Sequence, residues 1–228
     1  MAEILARPPF DAPVAGASVI DDALAAGRES ALADRSPAPP CWLQQVHGSA
    51  VVDLSRWRKG ARADAAWTDR DDRVAAVRTA DCLPILMADV AGGCVAAVHA
   101  GWRGLAAGVI EAATAGLPVA AERIRAWIGP RICADCYEVG ADVRQAFPDH
   151  AGAFEPARPG HWLADLPAIA IARLRRAGVA DVADSGICTA CDPALPSFRR
   201  DGTPARLATL IWLERDRPAS RRDVQRLP

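Results

Sequence analysis

The side chains able to do chemistry are few, and most fall in three short segments. The chain has only four histidines, His47, His99, His150 and His161. Two of them stand in runs of small and polar residues, Gln44-Gln45-Val46-His47-Gly48 and Ala97-Val98-His99-Ala100-Gly101-Trp102-Arg103-Gly104. Between these runs lies Arg78-Thr79-Ala80-Asp81-Cys82-Leu83-Pro84. Brought together, His47, Cys82 and His99 would supply two imidazoles and a thiolate. That set suits a catalytic zinc with an open fourth position, because structural zinc sites are normally closed by four protein ligands. The same residues also read as two buried histidines and a core cysteine that merely pack. A third reading makes Cys82 a nucleophile with His99 as its base, as in an amidase or related hydrolase. Asp81, beside Cys82, either orients a histidine, shuttles a proton or caps a turn. His150 and His161, among proline and acidic residues, read as solvated.

The other cysteines and the arginines come next. Cys133-x-x-Cys136 and Cys188-x-x-Cys191 have the form of a four-thiolate zinc site. The long separation between Cys136 and Cys188 argues against one, as does the lack of a glycine in either pair. These thiols are therefore expected to be small buried fillers. Arg103 lies between Gly101 and Gly104 just ahead of an expected helix, where backbone can approach an anion closely. Arg199-Arg200-Asp201-Gly202 is a turn with two adjacent guanidinium groups, suited to phosphate or carboxylate, or to surface ion pairs. Gln45, Arg103 and Arg200 are the substrate-binding candidates.

The elements that must hold these groups are short strands and helices in alternation. Trp42–Val46, Ala50–Leu54, Val74–Arg78, Pro84–Asp89, Cys94–His99, Ile124–Ile128 and Leu207–Leu213 read as strands, several apolar enough to be buried on both faces. Helices are expected around Asp21–Leu32 and over Leu105–Leu117, Val139–Phe147 and Leu166–Ala177, the last closed by Gly178. Interleaving of the two kinds predicts an α/β fold, a single domain with a mixed β-sheet. Residues 1–40 are weakly patterned, 41–214 form the expected catalytic domain, and 215–228 are a charged tail.

Composition limits the function classes. Apolar residues make up 51% of the 228, enough for a substantial core and too many for a disordered chain. Basic and acidic residues number 27 and 28, so the basic excess of a general nucleic-acid or membrane binder is missing. Lys59 is the only lysine, so cationic contacts to a substrate fall to arginine. No apolar run approaches the roughly 18 residues of a membrane helix, and the N-terminus lacks signal-peptide form, which predicts a cytoplasmic protein. Seven cysteines in such a chain favour catalytic or metal-binding thiols over a disulfide scaffold.

Five ordered segments carry a resemblance: QVHG (45–48), RTADCLPIL (78–86), AVHAGWRG (97–104), IGP (128–130) followed by YEVG (137–140), and CTAC (188–191) followed by SFRRDG (197–202). In this order they resemble the YfiH-like proteins. That family was long described as multicopper polyphenol oxidoreductases or laccase-domain proteins, and later as purine nucleoside phosphorylases. The resemblance runs from about Trp42 to Leu213. It implies that His47, Cys82 and His99 hold zinc, with Cys82, His99 and Asp81 as the catalytic residues. It also implies a fold shared with a group assigned as cysteine hydrolases. The implied activities are phosphorolysis of adenosine, inosine and methylthioadenosine, and deamination of adenosine. An alternative is hydrolysis of a peptidoglycan precursor by a Cys–His pair, and a further one is a non-enzymatic zinc-binding module. The implied partners are small molecules, a nucleoside and phosphate, with neither nucleic acid nor membrane. Two departures stand out: no FxTRxGG-type segment is recognisable in residues 1–30, and Phe198 replaces a tyrosine of the usual late motif. Copper is the less favoured metal, because four histidines cannot furnish both a blue-copper centre and an oxygen-binding cluster.

Overall fold

The structure, a computed structural model, describes residues 3–11, 13–20 and 36–214. The expected helix near Asp21–Leu32 and the tail 215–228 lie outside the described residues.

Fourteen strands are described. They are β1 (Glu3–Ala6), β2 (Val14–Ile20), β3 (Pro40–Cys41), β4 (Val51–Asp53), β5 (Ala65–Thr68), β6 (Val74–Thr79) and β7 (Leu83–Asp89), then β8 (Val95–Ala100), β9 (Ile124–Ile128), β10 (Glu138–Val139), β11 (Phe154–Pro156), β12 (Trp162–Ala164), β13 (Asp181–Asp184) and β14 (Leu207–Leu213). Five α-helices accompany them: α1 (Trp102–Ala106), α2 (Val109–Gly116), α3 (Ala141–Gln145), α4 (Leu166–Arg176) and α5 (Phe198–Asp201). The expected mixed sheet is divided. One sheet runs β1-β2-β14-β6-β3, a second β13-β9-β7-β8-β5-β4, and a small third β10-β12-β11. The first two each combine parallel and antiparallel pairs.

The apolar strands owe their composition to layering. Leu86, Ala97 and Trp127 meet Val77 and Ile211 between the two large sheets. On the other face of the second sheet, Ile85, Val98 and Ile128 pack against Leu105, Ile110 and Ile169 of the helices. All seven residues of β7 are buried as a result, which is why its sequence shows no polar alternation. Met87 belongs to the helical side of this core, away from Cys82.

Several expected elements change for identifiable reasons. The strand expected over Trp42–Val46 does not form: β3 stops at Cys41, Gln44 makes only an isolated bridge to Arg62, and the side-chain amide of Gln45 takes up the backbone of Arg78. Gln45 Oε1 accepts from Arg78 N and its Nε2 donates to Arg78 O, both at 2.8 Å. The helix expected over Leu105–Leu117 becomes α1 and α2, divided at Gly108, whose φ of 85° is left-handed. The helix expected from Val139 to Phe147 shrinks to α3, since Val139 pairs in β10 and Pro148 follows Phe147. Residues 3–20 add two strands that sequence pattern did not reveal, and β2 pairs with β14 from Val14–Leu213 to Ile20–Leu207. The α4 helix begins where Asp165 accepts from Ala168 N and stops at Gly178, φ 97°.

Candidate active site and metal centre

The three motif segments meet at one end of the second sheet. Cys82 immediately precedes β7, and His99 lies on β8 opposite Pro84. Its parity with Val95 and Ala97 aims it toward the first sheet. His47 comes from the loop between β3 and β4. The ligand-capable atoms of His47, Cys82 and His99 lie within 4.8 Å of one another. Two residues here have left-handed backbones without being glycine, His47 (φ 59°) and Asp81 (φ 81°). Such strain persists where surrounding contacts impose it, commonly at sites.

Asp64 holds the arrangement. Its fully buried carboxylate accepts from the backbone N–H of Val46, His47 and Gly48, the last at 2.7 Å, and from His99 Nδ1 at 2.8 Å. A carboxylate can only accept, so Nδ1 carries the proton and Nε2 is left for Cys82 or a metal. Burial alone would raise the carboxyl's pKa, but His99 and these amides hold it below the usual range. Burial likewise pushes the Cys82 thiol up, yet hydrogen bonds from His47 and His99 bring it down to about 6. His99 is disfavoured as a cation by burial, but Asp64 and Cys82 raise it to about 9. Among protein groups alone, Asp64, His99 and Cys82 thus form a carboxylate–imidazolium–thiolate relay.

Two cavities open over this cluster and share His47, Ala80, Cys82 and Phe198. One, about 390 Å³, is walled by Trp102, Tyr137, Arg103 and Arg199. The other, about 590 Å³, is lined by Gln45, Arg78, Thr79, His99 and Arg206. Arg103 stacks on Trp102 at 4.3 Å and Arg199 on Tyr137 at 4.8 Å. Burial, followed by the Cys82 charge, pushes the Tyr137 phenol up to about 12, so it stays a neutral donor. Thr79 Oγ1 is buried with no hydrogen-bonding partner among the described residues, in the wall of the larger cavity.

The remaining candidates fall differently. Asp81 lines the smaller cavity, but its carboxylate accepts from Thr189 Oγ1 at 2.7 Å and Arg199 N at 2.6 Å. Gln45 reaches the larger cavity with its amide spent on Arg78. Arg200 turns away from both cavities and donates to the carbonyls of Thr189, Ala190, Asp192 and Leu195. Its neighbour Arg199 is the guanidinium that faces the smaller one. Sequence reading missed Asp64, whose one signal is a lone acid among alanines, Ala63-Asp64-Ala65-Ala66. It also missed Tyr137 and Thr189. His150, expected in solvent, has its Nε2 buried without a partner among the described residues. The four cysteines expected as separate fillers are instead gathered, with their thiols within 4.8 Å of one another.

The family described as multi-copper polyphenol oxidoreductase laccase matches residues 5–214. The chain belongs to this YfiH-like family. Among YfiH-like relatives, a Pseudomonas aeruginosa protein named purine nucleoside phosphorylase PA4543 is 43% identical over 217 residues, spanning 92% of this chain and 89% of its own. Escherichia coli purine nucleoside phosphorylase YfiH is 40% identical over 214 residues, spanning 90% and 88%. The crystal structure of Neisseria meningitidis protein NMB0706 superposes with a TM-score of 0.82 at 37% identity, covering 91% of this chain and 97% of that one. No helix among the described residues is long and apolar enough to cross a membrane.

Proposed function

We propose that this chain is a zinc-dependent purine nucleoside phosphorylase acting on adenosine, inosine and methylthioadenosine, and that the same pocket deaminates adenosine. The observation that supports it most is the position of the His47–Cys82–His99 cluster, with His47 and Cys82 lining both of two ligand-sized cavities and His99 lining the larger. The names of the relatives point the same way.

The residues fit a metal. Two imidazoles and a low-pKa thiol are a zinc donor set, and Gly101 keeps space beside them. A Cβ there would come within 3.0 Å of Cys82 Sγ and 3.1 Å of His47 Cδ2. Held by His47, Cys82 and His99, zinc would supply a Lewis acid with an open position.

The chain's own groups divide the remaining work. Arg103 and Arg199 bind and orient phosphate for attack on the anomeric carbon, whose bond to the purine nitrogen breaks. The faces of Trp102, Tyr137 and Phe198 flank the nucleoside and exclude water. Asp64 fixes the tautomer of His99, and Asp81 holds Arg199 against the cavity through its backbone. The proposed partners are therefore a nucleoside and phosphate, and the proposed setting is the cytoplasm.

A second reading has its own observation in the Asp64–His99–Cys82 relay, which is the arrangement of a cysteine hydrolase. Metal and nucleophile would compete for one thiolate, so chelation should abolish phosphorolysis but spare or raise amide hydrolysis. The deciding test of the first reading incubates metal-loaded protein with adenosine, with and without phosphate, and resolves products chromatographically. Adenine that forms only with phosphate supports phosphorolysis, and inosine formed without phosphate supports deamination. Neither product from folded, metal-loaded protein overturns the nucleoside reading.

A further inference from the structure

The long interval between the two Cys-x-x-Cys pairs is closed by topology. Strands β9 and β13 are parallel neighbours, paired from Arg125–Asp181 to Ile128–Asp184. The intervening residues form a crossover containing the small sheet, α3 and α4. Both chains therefore leave the second sheet side by side, each a few residues before its first cysteine. Backbone bonds keep them together: Arg131 N donates to Ile187 O at 3.1 Å and Thr189 N to Arg131 O at 3.0 Å. Arg131 adds a 2.7 Å ion pair with Asp184.

Beyond this bridge, Cys133, Cys136, Cys188 and Cys191 converge. Cys136 Sγ lies 3.4 Å from Cys191 Sγ, and Cys133 Sγ lies 3.8 Å from it. Zinc–sulfur bonds of about 2.3 Å directed tetrahedrally space thiolates by about 3.8 Å. The N–H of Cys133 points at Cys188 Sγ, 3.2 Å away, as suits a sulfur carrying negative charge. All four thiols are free and none is fully buried, which differs from cysteines used only as filler.

We infer that Cys133, Cys136, Cys188 and Cys191 bind a second zinc ion, a closed structural site that ties the Cys188–Cys191 segment to the segment whose Ile132 and Tyr137 line the smaller cavity. Its position explains what the clamp would do. Ile132 N, next to Cys133, donates to Asp81 O, and Thr189, next to Cys188, donates to the Asp81 carboxylate. Tyr137, next to Cys136, carries the stacked Arg199. The metal would thus fix the strained Asp81 turn and the aromatic–arginine wall without touching substrate.

The test is metal content per chain, by mass spectrometry of the purified full-length protein, in wild type and two variants. Wild type should hold two zinc ions. Cys133→Ser/Cys191→Ser should hold one, and Cys82→Ala should also hold one while keeping the four-cysteine site. A cobalt-reloaded Cys82→Ala protein should show the intense thiolate-to-metal absorption of four sulfur ligands, a readout that does not depend on the double variant folding. One zinc in wild type, lost entirely in Cys82→Ala, would overturn the inference. Disulfides among these four cysteines in freshly purified protein under reducing conditions would overturn it too.

Discussion

At the scale of single residues, Asp64 decides how the site behaves. One carboxylate satisfies three loop amides and the His99 ring, so it sets both the shape of the His47 loop and the protonation of His99. Replacing such an outer partner of a metal-binding histidine weakens metal affinity by about 10–100-fold. Asp64→Asn should therefore lower zinc affinity by that factor, measured by competition with a chromophoric chelator. In chelated protein, alkylation of Cys82, quantified by peptide mapping, should be half-maximal near pH 6 rather than near 9. Stability follows opposing slopes. The raised His99 pKa contributes stability present below about 6.5 and lost as pH rises through about 9, whereas the depressed Cys82 pKa contributes stability present above about 9 and lost as pH falls through about 6. Across about pH 6.5–9 the two cancel. Urea midpoints of metal-free protein should stay nearly level there, apart from other titrating groups.

Elements were legible where one strand's own composition decided its fate. The β7, β8, β9 and β14 runs are apolar because both their faces are covered; the expected bounds match for β9 and β14 and differ by one residue for β7 and β8. The β5 strand, Ala-Ala-Trp-Thr, has little of that character and is specified by its neighbours β4 and β8. Asp64, next to β5, stayed hidden for the same reason. The motif segments around His47, Cys82 and His99 were visible as dense small and polar stretches; the two Cys-x-x-Cys pairs were visible too, but their meeting was not. Their convergence depends on two parallel strands far apart in sequence. The loop carrying His47 depends on Gln45, whose amide meets both the backbone N–H and the carbonyl of Arg78. Gln45→Ala leaves those groups unpaired and should cost about 1–3 kcal/mol in urea unfolding. Gly101→Ala should fold normally, since its φ of −73° suits any residue. The added methyl should crowd Cys82 and His47, reducing zinc affinity at this site by about 10-fold or more.

At the scale of the whole molecule, the two-sheet sandwich and its helical cover form a rigid floor, and the loops at one end carry the chemistry. A near-neutral chain whose cations are almost all arginine suits a small anionic co-substrate better than a polyanion. If catalysis depends on metal held by His47, Cys82 and His99, chelation should remove phosphorolysis and zinc should restore it. The most direct test compares kcat/KM for phosphate-dependent release of adenine by wild type and Cys82→Ala, both zinc-supplied and matched for folding by circular dichroism. Loss of a Lewis acid worth several kcal/mol predicts a fall of about 10³-fold or more in the variant. A variant that keeps wild-type kcat/KM would place the chemistry away from the His47–Cys82–His99 cluster.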